Sequence, residues 1–333
     1  MAKRPSDKPK FDLHQTITDQ IVTMLETCTD PWKRPWISAG RSLATPINAS
    51  TRRAYRGTNV VMLWGAAQAA GYQSAEWMSY EQAFQMGGGK REGTGRFAKV
   101  IQPSTMFVRP GEKGTMIVYA KKFEKDENKP DDKGGFMLRY STVFNVEQIE
   151  GYERKPVKLP DLVERSPEAE EFFRHMLANY QEGSDTASYS PSLDRIQMPS
   201  PEQFRNTSHG TAFEHFYSTR AHETAHWTGH ESRLNRDMTG SFGSEKYARE
   251  ELIAELTAAF VCAHLGISAT PREDHAVYIK SWIKALKNDK KEIFSAATAA
   301  QKAMDFMLAK QPATVDEEVD EAEVEREEEL IAA

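Results

Sequence analysis

The stretch AHETAHWTGHESRLNR, residues 221–236, places two imidazoles four positions apart with a carboxylate directly after the first. On an α-helix, positions i and i+4 lie about 40° apart, at roughly 3.6 residues per turn. His222 and His226 can therefore each aim a ring nitrogen at one ion about 2.0–2.1 Å away, the length of a zinc–imidazole bond. Glu223 projects beside them, where a carboxylate can take a proton from a water molecule that the ion makes acidic. The flanking AFEHFYSTRAHETAHWTGH contains no proline and reads as a helix that stops at Gly229.

Five letters are a modest signal, because HExxH also occurs in helices whose histidines merely cap or pack. A second pair adds weight. REELIAELTAAF carries Glu251 and Glu255 four residues apart on a later helix, whose Leu252, Ile253, Leu256, Ala259 and Phe260 call for burial. A buried carboxylate needs a partner, since an uncompensated buried charge is costly. A Zn2+ ion on the two histidines supplies one; an exposed face, or ion pairs to Arg249, would be the alternative. Spacing alone leaves open which of Glu251 and Glu255 is the third ligand. A fourth position left to water would make the site catalytic rather than structural.

The elements that must position these groups follow from periodicity and breakers. Apolar residues recur helically from Asp12 to Leu25, until the prolines of DPWKRPW intervene. NVVMLWGAAQAAGY predicts a helix ending near Gly71, and SYEQAFQM another with Ser79 as its N-cap. The basic GGGKREGTGR loop is followed by strand-like runs TMFV, TMIVYAKKF and GFMLRYSTVFNV, separated by RPGEKG and DENKPDDKGG turns. The expected class is α+β. A small N-terminal α+β domain with an antiparallel sheet (12–152) follows a basic arm (1–11), and a proline-rich linker (153–165) leads into a mainly helical domain (166–311). Long helices are expected at about 211–229, 244–265, 274–289 and 291–309. Residues 312–333 form an acidic tail that cannot bury a core.

The net charge of −6 is unevenly spread. Residues 1–160 hold 25 Lys and Arg against 17 Asp and Glu, a net of +8, whereas residues 316–333 hold one Arg against ten acids. A basic half interleaved with aromatics suits single-stranded DNA, in which cations neutralise phosphates and rings stack on exposed bases. The expected contacts are Trp32, Arg34, Arg52, Arg53, Tyr55, Arg56 and, in the RPGEKG turn, Lys113. Trp64, inside an apolar helix, reads as core; Trp36 and Trp77 read either as core or as part of the same aromatic, basic surface. The tail reads as a solvated segment, with competition against DNA for the basic half as the sharper alternative.

Other classes are excluded or disfavoured. No apolar run approaches the roughly 20 residues of a membrane span. The N-terminus lacks the apolar stretch of a secretory signal. Cys28 and Cys262 lie far apart and outside any CxxC spacing, as in a reduced cytoplasmic protein. The GEKGT turn lacks the spacing of a nucleotide-binding phosphate loop.

The HExxH helix followed by a helix bearing ExxxE resembles the gluzincin peptidases. That resemblance implies Glu251 as the third metal ligand and Glu255 as the group holding a histidine's outer nitrogen. The metzincin pattern HExxHxxGxxH is met only as far as Gly229, because its third histidine would fall at Ser232. In order, RAYRGTNVVMLW, RPGEKGT, VFNVEQIEGY, DRIQMP, HETAHWTGH.SRLNR, YAREELIAELTAAFVCAHLGI and SWIKALKNDK are similar to the ArdC-like antirestriction proteins of conjugative plasmids, whose N-terminal part is shared with TraC-type primases. The resemblance implies a single-stranded-DNA-binding domain followed by a zincin-like metallopeptidase domain. It also implies a protein substrate, which it does not identify. Under that reading Glu223 is the general base, and Tyr247, His264, His275 or Tyr278 would steady the oxyanion.

Overall fold

The computed structural model describes residues 12–27, 44–93, 99–123, 135–153, 166–207, 210–241, 243–267 and 279–312. The basic arm, Trp32, Arg34 and Trp36, nearly all of the linker, His275, Tyr278 and the acidic tail lie outside the described residues.

The N-terminal half begins with helix α1 (Leu13–Thr27), strand β1 (Ile47–Asn48) and helix α2 (Thr58–Ala70). Gly71 ends α2 in the left-handed region (φ 76°), which a glycine adopts without steric cost. Strand β2 (Glu76–Ser79) runs directly into helix α3 (Tyr80–Met86). There Ser79 and Gln82 form the reciprocal capping box that the SYEQ sequence encodes. Strands β3 (Lys90–Glu92), β4 (Lys99–Gln102), β5 (Phe107–Val108), β6 (Thr115–Phe123), β7 (Gly135–Asn145) and β8 (Ile149–Glu150) follow.

The main sheet has the order β1-β2-β7-β6. It is antiparallel across β2, β7 and β6, but β1 joins β2 in parallel. The TMFV run does not enter this sheet; its β5 pairs with β8 in a separate ladder. Trp64 and Trp77 are buried as core residues, and Trp64 Nε1 donates to the Ala44 carbonyl oxygen at 3.1 Å.

The C-terminal half contains helix α4 (Pro167–Arg174), strands β9 (Asn179–Glu182), β10 (Ser188–Ser190) and β11 (Arg195–Met198), and helices α5 (Ala212–Thr228), α6 (Glu245–His264), α7 (Ile279–Asn288) and α8 (Glu292–Leu308). The three strands form a sheet of order β10-β11-β9, which packs on α5. Helix α5 starts at a Thr211–Glu214 capping box. Apart from the short amphipathic ends, α5 and α6 are buried nearly all round. That is the pattern of helices enclosed by other elements.

The largest core cluster takes residues from both halves. Ile17, Ile21 and Leu25 of α1 and Val60, Val61 and Trp64 of α2 share it with α5, α6 and α8. Helix α1 is also tied to the junction of α7 and α8, since Thr18 Oγ1 donates to the Lys290 carbonyl at 2.8 Å and Lys287 pairs with Glu26 at 2.5 Å. The first helix thus braces the C-terminal helices, although it precedes the main sheet in sequence.

Trp282 anchors α7. It is 1% exposed, and its Nε1 donates to the Ala248 carbonyl of α6 at 2.8 Å. Trp282→Ala is expected to lower the unfolding free energy by about 3–5 kcal/mol, because it leaves a cavity and removes the indole hydrogen bond between α7 and α6. Urea denaturation followed by circular dichroism measures this; a loss below about 1 kcal/mol would mean that α7 is not docked on α6.

Candidate metal centre

The HETAH turn lies in the C-terminal part of α5 and faces α6, the most extensive helix–helix contact among the described residues. His222 and His226 meet through their Nε2 atoms, 3.1 Å apart, with the rings nearly perpendicular at 80°. Glu251 of α6 approaches the same point, with Oε2 at 3.5 Å from His222 Nε2 and Oε1 at 3.5 Å from His226 Nε2. Ligands at about 2.0–2.1 Å from one tetrahedral ion stand about 3.3–3.4 Å from one another. The observed edges of 3.1 and 3.5 Å bracket that value, so the cradle fits a divalent ion. These three side chains form the group of potential ligands found among the described residues.

Glu255, one turn further along α6, approaches the opposite edge of the first ring, with Oε2 at 3.7 Å from His222 Nδ1. The two glutamates therefore sit on different sides of His222, Glu251 inside the cradle and Glu255 behind it. Glu223 is buried on the same turn of α5. It is three residues from His226, about 60° around the helix. Arg249 does not take up these acids; its Nε pairs with Glu292 at 2.9 Å.

Two further residues complete the site, and spacing gave no sign of them. Glu250 Oε1 accepts from His226 Nδ1 at 3.1 Å. Arg236 grips the same carboxylate in a fork, Nε to Oε2 at 3.0 Å and Nη2 to Oε1 at 2.7 Å. Glu223, Glu250, Glu251 and Glu255 are all buried. Four carboxylates thus share a buried space with two imidazoles and the Arg236 guanidinium. A divalent cation in the cradle balances much of this negative charge.

The same surroundings set the proton affinities of the metal-free protein. Burial disfavours a charged His226, but hydrogen bonds to Glu250 and Glu251 outweigh it and raise the pKa from the ordinary 6.5 to about 10. Burial likewise opposes the charged forms of Glu251 and Glu250, yet the histidines, and Arg236 in the case of Glu250, hold both pKa values below the usual carboxylate value. A ligand must be deprotonated, so an ion entering the cradle displaces the His226 proton. Metal affinity is therefore expected to rise by about tenfold per pH unit between pH 6 and 9, where His226 is protonated without metal. Without metal the sign reverses. The stability from that proton is fully present below 6.5 and is lost as pH rises through about 10. Isothermal titration with Mn(II) at several pH values tests the first statement; a flat profile would contradict it.

The residues proposed from sequence for DNA contact are placed differently from one another. Arg52 pairs with Glu76, and Arg56 Nη2 with Asp305 at 2.5 Å. Tyr55 is half-buried, with its ring packed against two core clusters and its hydroxyl accepting from Asn48 Nδ2 at 3.3 Å. Burial pushes its pKa well up. Its ring is thus committed to packing rather than presented for stacking. Arg53 is half-buried and Lys113 exposed. Among the proposed oxyanion groups, Tyr247 lies one turn before Glu251 on α6. His264 lies nine residues beyond Glu255, about 13 Å along the axis, which is out of reach of the cradle.

A helix bearing HExxH, opposed by a second helix that presents a glutamate, is a zincin-type arrangement, and residues 167–299 match the family described as zincin-like metallopeptidase. Residues 11–144 match the N-terminal domain of anti-restriction factor ArdC. The chain belongs to the ArdC family of antirestriction proteins, with an ArdC N-terminal domain followed by a zincin-like domain. It is 35% identical over 310 residues to the uncharacterized protein y4eC of Sinorhizobium fredii, covering 90% of this chain and 92% of that one. Two DNA primases TraC of Escherichia coli are each 34% identical to it, but the chain spans only 20% and 29% of their lengths. Crystal structures of the antirestriction ArdC protein from the R388 plasmid superpose with TM-scores of 0.70 in the metal-free form and 0.68 in the Mn(II)-bound form. Both are 36% identical, covering 90% of this chain and 98% of theirs. No helix among the described residues is long and apolar enough to cross a membrane.

Proposed function

We propose that the protein is a cytoplasmic antirestriction factor that binds single-stranded DNA through its N-terminal half and hydrolyses a peptide bond in a protein partner at the His222–His226–Glu251 cradle. The observation that carries this reading is the convergence of two Nε2 atoms and one carboxylate within 3.5 Å of one another, with Glu223 on the same turn. Imidazole and carboxylate donors suit Zn2+, and also Mn2+. When bound, the ion acts as a Lewis acid that polarises the scissile carbonyl and makes water acidic near neutral pH. Glu223 accepts the proton of the attacking water and returns it to the leaving amine nitrogen. Of the candidate donors, Tyr247 is the described one within a turn of Glu251 on α6, and it would donate to the developing oxyanion. Glu255 Oε2, 3.7 Å from His222 Nδ1, is the acceptor that would close on that nitrogen when the ion binds and keep the Nε2 lone pair directed into the cradle.

The R388 protein adopts this fold both without metal and with Mn(II). That favours a chemical over a purely structural role for the ion. The test is elemental analysis of protein purified from zinc-replete cells, paired with survival of an incoming plasmid in a restricting host. One ion per chain is expected, with loss of both ion and protection in His222→Ala. A metal-free wild-type protein would overturn the reading.

Single-strand binding is supported by the ArdC N-terminal domain and by the net +8 of residues 1–160. Each phosphate neutralised on a single strand contributes about 0.7 to the slope of log affinity against log salt. Lys113→Ala is expected to flatten that slope by about this amount. Arg52→Ala and Arg56→Ala should change it less, because those cations are already held by carboxylates. Fluorescence anisotropy on labelled oligothymidine reads the slope. Identical slopes in Lys113→Ala and wild type would remove Lys113 from the interface.

A further inference from the structure

The SRLNR segment that follows the metal helix has no part in the chemistry above, yet it folds back onto the cradle. Asn235 adopts the left-handed conformation (φ 47°), which asparagine tolerates better than most residues. The chain there reverses, so that the Arg236 amide donates to the Gly229 carbonyl at 2.9 Å. The Arg236 guanidinium then lies across the end of α5. It donates to the Ala225 carbonyl at 2.7 Å and to Thr228 Oγ1 at 2.8 Å, besides its fork on Glu250. The arginine side chain is 10% exposed and the glutamate 8%.

Gly229 is what admits it. A Cβ at that position would stand 2.8 Å from Arg236 Nη2 and 2.9 Å from its Cζ, closer than atoms in contact allow. The end of a free arginine would move aside cheaply; this one is anchored by four hydrogen bonds. Gly229 has φ −76°, so no backbone requirement calls for glycine there, only space.

We infer that Gly229, Arg236 and Glu250 form a positioning device for the metal ligand His226. Gly229 clears the room, Arg236 orients Glu250, and Glu250 accepts the Nδ1 proton. A carboxylate only accepts, so the contact selects the tautomer whose Nε2 lone pair faces the cradle. This assigns Gly229 a role other than turning the chain towards a third histidine, whose place Ser232 occupies. The inference rests on the metal-centre reading and adds residues that touch no ion.

The experiment is an electron paramagnetic resonance titration of Mn(II) into full-length wild-type, Gly229→Ala, Arg236→Ala, Glu250→Ala and Glu250→Gln proteins. The imidazole 15N shifts of His226 are recorded on the Zn(II)-loaded, diamagnetic form of each protein, and thermal unfolding confirms the folded state. Arg236→Ala and Glu250→Ala are expected to weaken Mn(II) binding roughly 10–100-fold, with Gly229→Ala shifted in the same direction. Glu250→Gln retains a carbonyl oxygen for the Nδ1 proton and should recover most of the affinity and the wild-type tautomer. Wild-type affinity in folded Gly229→Ala and Arg236→Ala would overturn the inference, as would a Glu250→Gln protein no better than Glu250→Ala. If Glu250→Ala fails to fold, Gly229→Ala decides the matter. Absence of Mn(II) binding by the wild type would instead remove the metal-centre reading beneath it.

Discussion

His226→Ala is expected to abolish stoichiometric metal binding, with an affinity loss exceeding the roughly 10–100-fold typical of removing a partner behind a ligand. The ring makes two kinds of contact at once. Its Nε2 stands 3.1 Å from His222 Nε2 and 3.5 Å from Glu251, and its Nδ1 contacts Glu250 at 3.1 Å. Truncation removes a donor from the cradle and also withdraws a partner from two buried glutamates. The variant should therefore bind metal poorly and also be less stable than wild type at neutral pH, since a buried carboxylate deprived of its partner is costly. Competition with a chromophoric chelator measures the first effect and guanidinium denaturation the second. A His226→Ala protein that retained one tightly held ion per chain would exclude this cradle as the metal site.

The second large effect is expected from Glu223→Gln. Glutamine has nearly the same size as glutamate, so the buried turn of α5 should keep its packing. It cannot accept a proton at neutral pH. Metal content should therefore match wild type, while hydrolysis falls by about 10²–10⁴-fold, the usual contribution of a positioned general base. Plasmid protection separates two roles for the site. If Glu223→Gln loses protection as fully as His222→Ala does, chemistry is required. If only the histidine variant loses it, the ion serves as a scaffold and the hydrolytic role of Glu223 is wrong.

Much of this site was legible from residue order because it depends on local geometry. The i, i+4 relation between His222 and His226 is a property of any α-helix, and so is the proximity of Glu223. The boundaries of α3 and α5 follow from their caps, Ser79 with Gln82 and Thr211 with Glu214. Trp64 could be read as core from the apolar helix around it, whereas the burial of Trp77 amid polar neighbours came only with the sheet.

What only the tertiary structure decided concerns the register between elements that the chain joins through irregular segments. Residues 229–244 link α5 to α6, and nothing in their composition determines how far α6 slides or rotates. That rotation is what places Glu251 inside the cradle, Glu255 behind His222, and Glu250 against His226. The reach of Arg236 back across Gly229 depends on one left-handed residue and on an absent side chain, neither of which leaves a periodic trace. Tyr55 tells the same story in reverse, because its polar, turn-like neighbours suggested exposure while two core clusters claim its ring. Local backbone preferences act over a single turn, whereas the balance of buried charge and packing is settled only when distant helices meet.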